Sequence, residues 1–373
     1  MFPSRRITTM GGDKFRDEYS MFFDGSDEHI DIDTGLNSSL EGDFTISCWV
    51  KATESRNQTV FSAQDNSSDG VALTIGSGEN VKLVLNDDTS VSTGAPLNLN
   101  KWCHLVGQYN DSTNEANLYV DGVLTGASPH SVDKAISGVS ADATIGELSY
   151  GGNNFKGNIS EVAIYNKALS ASEIKTLYNS REPYNHKEGV ASGNLQAWYR
   201  MGDGTYDQKS TDDLDGGIVC DMNNVSLGSD VFGGKGDFSD ASYWTLDDAT
   251  IEDGLLKFAD NGDNYAECKK LTILDVDKMY RIDVTVDRND GAKVIINEGD
   301  PYIRVSDPIG ATGTFTAYWR ASSTAFRLYR TDTTGDEYDQ VVHISNLVVR
   351  EVTGGHHGQI KNMNPNSFKG DTP

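Results

Sequence analysis

A chain of 373 residues exceeds one ordinary β-sandwich and suits two domains, because single hydrophobic cores stop growing near about 250 to 300 residues. Lys and Arg total 31 against 56 Asp and Glu, and the resulting net charge of −25 opposes non-specific adhesion to nucleic acid or to anionic membrane. With 38 glycines, 13 phenylalanines and 16 tyrosines, the composition is turn-rich and aromatic-rich rather than helix-rich. Cys48, Cys103, Cys220 and Cys268 are widely spaced without a CxxC pair and read as reduced structural residues, with a Cys48–Cys103 disulfide left open if their strands are neighbours. The opening Met1 to Thr8 has no apolar leader, and no apolar run approaches the roughly 20 residues that span a bilayer. Synthesis in the cytosol is therefore expected, with release inside a particle as one route to a site outside the cell.

Residues 1–19 form a basic arm that, up to Arg16, carries Arg5, Arg6, Lys14 and Arg16 against only Asp13. It reads either as a disordered terminus or as an arm whose basic residues make assembly contacts with an acidic partner or a neighbouring subunit. From Tyr19 the texture becomes short alternating runs. Met21-Phe22-Phe23 stops at Asp24-Gly25, and His29 to Asp33 follows with period two. Phe44, Ile46 and Cys48 share one strand face while Trp49 lies on the other, so both sides of this strand carry bulk. Val71, Leu73 and Ile75 make another alternating strand, and Lys82 to Leu85 stops at Asn86-Asp87-Asp88. Trp102, His104 and Val106 alternate. Asn117 to Val120, halted by Asp121-Gly122 and resumed at Val123-Leu124, reads as a hairpin with a two-residue turn.

One helix interrupts this pattern. Ser170 with Glu173 three residues on is a capping box, Leu169 before the cap can staple against Ile174, and Leu177 and Tyr178 extend the apolar side. Residues 183–228 are a polar connector containing Trp198-Tyr199-Arg200-Met201-Gly202-Asp203-Gly204, expected at the seam between two domains. A second β body runs over 229–352. Tyr280, Ile282, Val284 and Val286 alternate cleanly within it, and Phe326 and Leu328 point inward opposite Arg327 and Tyr329. Residues 353–373 form a glycine-rich tail, either a disordered end or an anchor.

Several segments resemble laminin G-like domains in order and spacing. They are Phe23-Asp24-Gly25 with Ile30-Asp31-Ile32, Phe44 to Val50, Trp102 to Val106, Leu118 to Gly122, and Gly157 to Tyr165 leading into Leu169 to Ile174. Residues 20–182 are thus identified as a concanavalin A-like (laminin G-like) β-sandwich, and 229–352 more loosely resemble carbohydrate-binding-module jelly rolls. The resemblance implies an all-β chain of two sandwiches that binds glycans or proteins, often with one calcium at the rim. The pairing of such modules around the Trp198 to Gly204 element resembles structural proteins of tailed bacteriophages. That implies a virion role in capsid decoration, a head fibre or the tail, as a homo-oligomer contacting other virion proteins. The alternative is a glycan-binding adhesin directed at a host-surface glycan.

Catalysis has little to rest on. A glycosidase needs two carboxylates across a cleft, and the nearest imitation, Asp31-Ile32-Asp33, has neither a third acid at matching spacing nor an adjoining tryptophan. His104 is expected to be packed, with a ring nitrogen bonded to backbone. The adjacent His356 and His357 lack further ligands for a transition metal. Calcium favours carboxylates and carbonyls on loops, which makes Asp65, Asn66 and Asp69, with Asp24, the candidate ligands. Sugar or protein binding needs an aromatic platform rimmed by polar groups. The best stretch is Tyr318-Trp319-Arg320, joined by Arg327 and Tyr329 and by Tyr302 and Arg304, unless Trp319 fills the core.

Overall fold

A computed structural model of the chain describes residues 17–373 apart from 33, 66–68, 87–88, 95, 127–128, 133–135, 137–138, 203–217, 220, 224–225, 259–265, 277, 290–292, 300–302, 305–308, 310, 332–340, 362 and 364–367. The basic residues Arg5, Arg6, Lys14 and Arg16 lie outside this set, as do Asn66, Cys220 and Tyr302. The chain divides into two compact units, one made of residues 1–205 with 366–373 and the other of 206–365.

The first unit is a two-sheet sandwich. Its nine-stranded sheet runs Val123–Leu124, Glu115–Val120, Cys103–Asn110, Phe44–Ala52, Lys156–Tyr165, Ser20–Asp24 and Phe368–Lys369, with two short strands alongside. The facing sheet runs His29–Asp31, Thr144–Ile145, Gln58–Gln64, Gly70–Ile75, Val81–Leu85 and Thr89–Ser92. Phe44, Ile46, Cys48 and Val50 point into the core, where Val71, Leu73, Ile75, Val81, Leu83 and Leu85 meet them from the other sheet. The two sheets approach closely at Gly107, where an added Cβ would stand 2.9 Å from Leu83 Cδ1. The expected hairpin forms with Val120 opposite Val123, and both turn residues, Asp121 and Gly122, take positive φ.

The outer face of Phe44–Ala52 is buried by the helix Ala171–Tyr178 and the segment before it. Thr45 Oγ1 donates to the Lys167 carbonyl at 2.7 Å, Ser47 Oγ lies 2.8 Å from His104 Nε2, and Trp49 stacks on Tyr178 with centroids 5.9 Å apart. This is why both sides of that strand carry bulk. The capping box is present: Glu173 N donates to Ser170 Oγ at 3.3 Å and Ser170 N donates to Glu173 Oε2 at 2.7 Å. Leu169, Ile174 and Leu177 are buried, so packing holds this eight-residue helix where propensity alone would not. The His104 ring nitrogen bonds to the Ser47 hydroxyl and not to backbone, because the two residues sit on adjacent strands with their side chains on one face.

The Trp198-containing segment belongs to this sheet. Lys156–Tyr165 is flanked on one edge by two strands in succession: Ser20–Asp24 pairs with residues 156–159, and Leu195–Tyr199 pairs with 162–165. Between them Glu161 adopts a positive φ of 52° at a shift in register, the mark of a bulge. Its carboxylate turns inward to accept Trp198 Nε1 at 2.7 Å and Arg200 Nε at 3.2 Å. Burial pushes the Glu161 carboxyl up to about 7 against the pull of Arg200. His186 packs edge-on against Trp198 at 5.2 Å, bonds the Tyr165 hydroxyl, and is pushed down to about 3 by burial. The end of the tail also joins this unit. Phe368–Lys369 pairs with Ser20 and Met21, Ser20 Oγ donates to the Asp371 carbonyl at 2.6 Å, and the Asp371 carboxylate takes Trp102 Nε1 at 3.1 Å beside Lys51.

The second unit has its own core. A six-stranded sheet orders Ala249–Glu252, Leu255–Phe258, Val342–Thr353, Met279–Asn289 and Gly313–Arg320, with Ser226–Asp230 beside Val342–Thr353. A five-stranded sheet orders Thr245–Asp247, Ala266–Lys270, Phe326–Thr331, Lys293–Glu298 and Ile303–Arg304. Ile282, Val284, Phe326, Leu328 and Leu347 fill the space between them. Ile218–Val219 pairs with Gly358–Lys361, and the buried Asp221 carboxylate accepts His356 N at 3.0 Å and Asn223 N at 2.8 Å. Asp221 N in turn donates to His357 Nδ1 at 3.1 Å, so the two histidines serve a turn. Cys48, Cys103 and Cys268 are free thiols.

Candidate functional site

In the second sheet of the first unit, antiparallel register puts alternate residues on the face away from the core. Thr74 stands opposite Lys82, and Lys82 opposite Ser92; one step along, Ala72 stands opposite Val84. The segment 147–154 folds over this face. Ser149 Oγ donates to Ser62 Oγ at 3.1 Å, Gly151 N closes a turn on the Leu148 carbonyl at 2.7 Å, and Thr59 N donates to the Asn153 carbonyl at 2.7 Å. Gly151 and Gly152 both need positive φ, at 91° and 88°, to make this fold-over.

The result is a groove of about 290 Å³ between the folded segment and the sheet. Its polar lining is Asn57, Gln58, Gln64, Thr74, Lys82, Tyr150 and Asn153, with apolar surface from Ile75, Val84 and Leu148. Tyr150 stands at the lip with half of its surface exposed. Two of the amides are committed to the fold: Gln58 accepts Lys156 N at 2.9 Å and donates to the Glu54 carbonyl at 3.1 Å, while Asn57 Oδ1 accepts Ser77 N at 3.0 Å. The lining contains no carboxylate.

The residues singled out in the second unit do not form one surface. Gly313–Arg320, which bears Tyr318, Trp319 and Arg320, belongs to the six-stranded sheet, whereas Arg327, Tyr329 and Arg304 lie on the five-stranded one. Trp319 points into the core, 5% exposed, against the Tyr280 ring, and its Nε1 donates to the buried Glu298 Oε2 at 3.1 Å. The outward platform is therefore not available to it. The five-stranded sheet does bring three of the group together, since Asn297 pairs with both Arg327 and Arg304 and Tyr329 is one step along. Arg327 is nevertheless 6% exposed, which corrects the expectation of a solvent-facing side chain. It pairs with Glu267, whose second oxygen accepts Lys269 Nζ at 2.7 Å. Burial opposes ionisation of Glu267, but these two cations hold its carboxyl below the usual range.

Of the calcium candidates, Asp65 Oδ1 accepts Asp69 N at 3.1 Å and Asp65 N donates to the Asp69 carbonyl at 2.9 Å, while Asn66 lies outside the described residues. Asp24 is used in its own turn: its Oδ1 accepts Ser26 N at 2.8 Å, and its backbone N–H donates to Glu28 Oε2 at 3.0 Å. Burial and the adjacent Asp24 push the Glu28 carboxyl up to about 7, while the hydrogen bond with Glu28 holds Asp24 below its usual range. Among the described residues no group of three or more His, Cys, Asp or Glu is placed to hold a metal. Asp31 faces His29 Nε2 at 3.3 Å, and Asp33 lies outside the described residues.

The family model of the concanavalin A-like lectin/glucanases superfamily matches residues 24–175, which contain the whole groove. The first sandwich is thus of the concanavalin A-like, laminin G-like class. No curated protein matches the chain. Among solved structures, a heptameric SAP-like pentraxin from Limulus polyphemus is 18% identical, with 44% of this chain and 82% of that one covered at a TM-score of 0.35. A putative carbohydrate binding protein from Bacteroides ovatus is 18% identical at a TM-score of 0.43, and this chain spans only 56% of its length while 56% of this chain is covered. The CBM40 of the Ruminococcus gnavus IT-sialidase, bound to α2,3-sialyllactose, is 14% identical at a TM-score of 0.36, with 43% of this chain and 99% of that one covered.

Proposed function

We propose that this is a non-catalytic glycan-binding protein whose first sandwich receives carbohydrate in the groove between the 147–154 segment and the sheet. The observation that carries the reading is the lining itself: amide and hydroxyl groups, one exposed tyrosine at the lip, and no carboxylate. A sugar offers an apolar ring face and a rim of hydroxyls. Tyr150 supplies a surface for the first, and Asn153, Thr74 and the amides supply partners for the second. Glycoside hydrolysis requires two carboxylates flanking the bond, and this lining has none to offer.

The test is retention on immobilised polysaccharides with calorimetric titration of the best ligand. Tyr150→Ala and Asn153→Ala each weaken binding about tenfold while leaving the thermal transition in place. Wild-type affinity in both variants would remove the groove from consideration.

A virion structural role ranks second. It rests on the resemblance of the module pairing and on a basic arm outside the described residues. Copurification with a particle at fixed stoichiometry, with no glycan retained, would promote it.

A further inference from the structure

From the charge distribution around the groove, we infer that its ligand is a glycan bearing an anionic substituent, a carboxylate or a sulfate ester, and that Lys82 receives that group. The inference rests on the glycan-binding reading above and adds the ligand's charge to it. Acids outnumber bases 56 to 31 in this chain, yet the groove lining holds one lysine and no acid. Six other cations of the same unit are ion-paired, Lys51 with Asp371, Lys156 and Arg56 sharing Glu54, Lys167 with Glu173, Arg181 with Asp121 and Arg200 with Glu161, while Lys101, Lys175, Lys187 and Lys369 make no ion pair among the described residues but do not line the groove. Lys82 makes no ion pair among the described residues, although it is exposed on the sheet face.

Register explains its isolation. Its cross-strand neighbours on that face are Thr74 and Ser92, neither of which carries charge, and its neighbour across the groove mouth is the turn holding Gly76. A neutral sugar would leave the ammonium as solvated as before. An anionic substituent gains an ion pair within hydrogen-bonding reach of Thr74 and the amide rim. At physiological salt charges beyond about 8 Å are largely screened, so acids outside that range weigh little against the local lysine.

The experiment compares matched glycans at about 0.15 M salt: a polyuronate against its carboxyl-reduced form, and a sulfated galactan against its desulfated form. The wild type binds the charged member of at least one pair about three- to fivefold more tightly, as expected for a largely solvated ion pair. Lys82→Gln abolishes that preference and keeps the affinity for the neutral member, and Lys82→Glu inverts it. Which pair shows the preference separates carboxylate from sulfate recognition. Equal binding of both members of both pairs by the wild type, or a preference that survives Lys82→Gln, overturns the inference and leaves the groove reading intact. Failure to bind any of the four glycans, with Tyr150→Ala indistinguishable from wild type, overturns both.

Discussion

The outer faces of two sheets, one in each unit, are both polar, and they differ in what their polar groups are doing. In the second unit Glu267, Arg327 and Lys269 are spent on one another, and two of the three are almost fully buried. In the first unit Thr74, Lys82 and Asn153 line an open groove of about 290 Å³, and their side chains make no hydrogen bond or ion pair among the described residues. A row of polar side chains thus announces a site only where the fold has left their bonding capacity unspent. Charge density points the wrong way here, because the more highly charged face is the ion-paired one.

The sharpest way to break this contrast is Trp319→Ala. If the indole is core, the loss is about 3–5 kcal/mol of stability with glycan retention at the Tyr150 groove unchanged below the transition. Loss of retention with an unmoved melting temperature would return the tryptophan to the surface. Arg327→Met comes next. It leaves Glu267 buried with only Lys269 as partner, and the expected cost is about 2–3 kcal/mol by chemical denaturation, where an exposed pair would cost under about 1.

Glu28 tests saturation in the first unit. Its folded value near 7 lies above the ordinary 4.5, so the protonated form is the one the fold favours. Its stabilising contribution is complete below the ordinary value and is lost as pH rises through 7. Glu28→Gln therefore removes a decline on the order of 1 kcal/mol between about pH 5 and 8, read from denaturant midpoints across that range. The smallest effect is on stability in Tyr150→Ala, under about 0.5 kcal/mol, because a half-exposed side chain at a groove lip supports little of the core.

Much of the first sandwich was legible because its signals are local. Period-two alternation in Phe44–Ala52, the Asp121-Gly122 turn and the Ser170–Glu173 box each specify geometry within a few residues. Sheet membership is not local. Alternation reports which face a side chain takes, so it placed Phe326 and Leu328 inward correctly. It could not report that Gly313–Arg320 and Phe326–Thr331 enter different sheets, and the patch built across them therefore came apart. The pairing of Leu195–Tyr199 was hidden for the same reason, since the partner of Trp198 lies more than thirty residues away at Ala163. The groove was hidden for another reason: Tyr150 and Asn153 sit in an aperiodic glycine-bearing loop, and only folding brings them over Lys82. A signal did exist in Lys82 itself, a charged residue between Val81 and Leu83 on a short apolar strand, which marks an outward face.

The pairing of Phe368–Lys369 with Ser20 and Met21 bears on how the chain is made. Because the first unit is interrupted in sequence by residues 206–365, the ribosome finishes the second sandwich before it supplies the strand that covers the Ser20–Asp24 edge. During that interval the nascent chain carries an open strand edge, the kind of surface that recruits a stray strand. Slowing translation across 206–365 should prolong this exposure, and chaperone occupancy of arrested nascent chains would measure it.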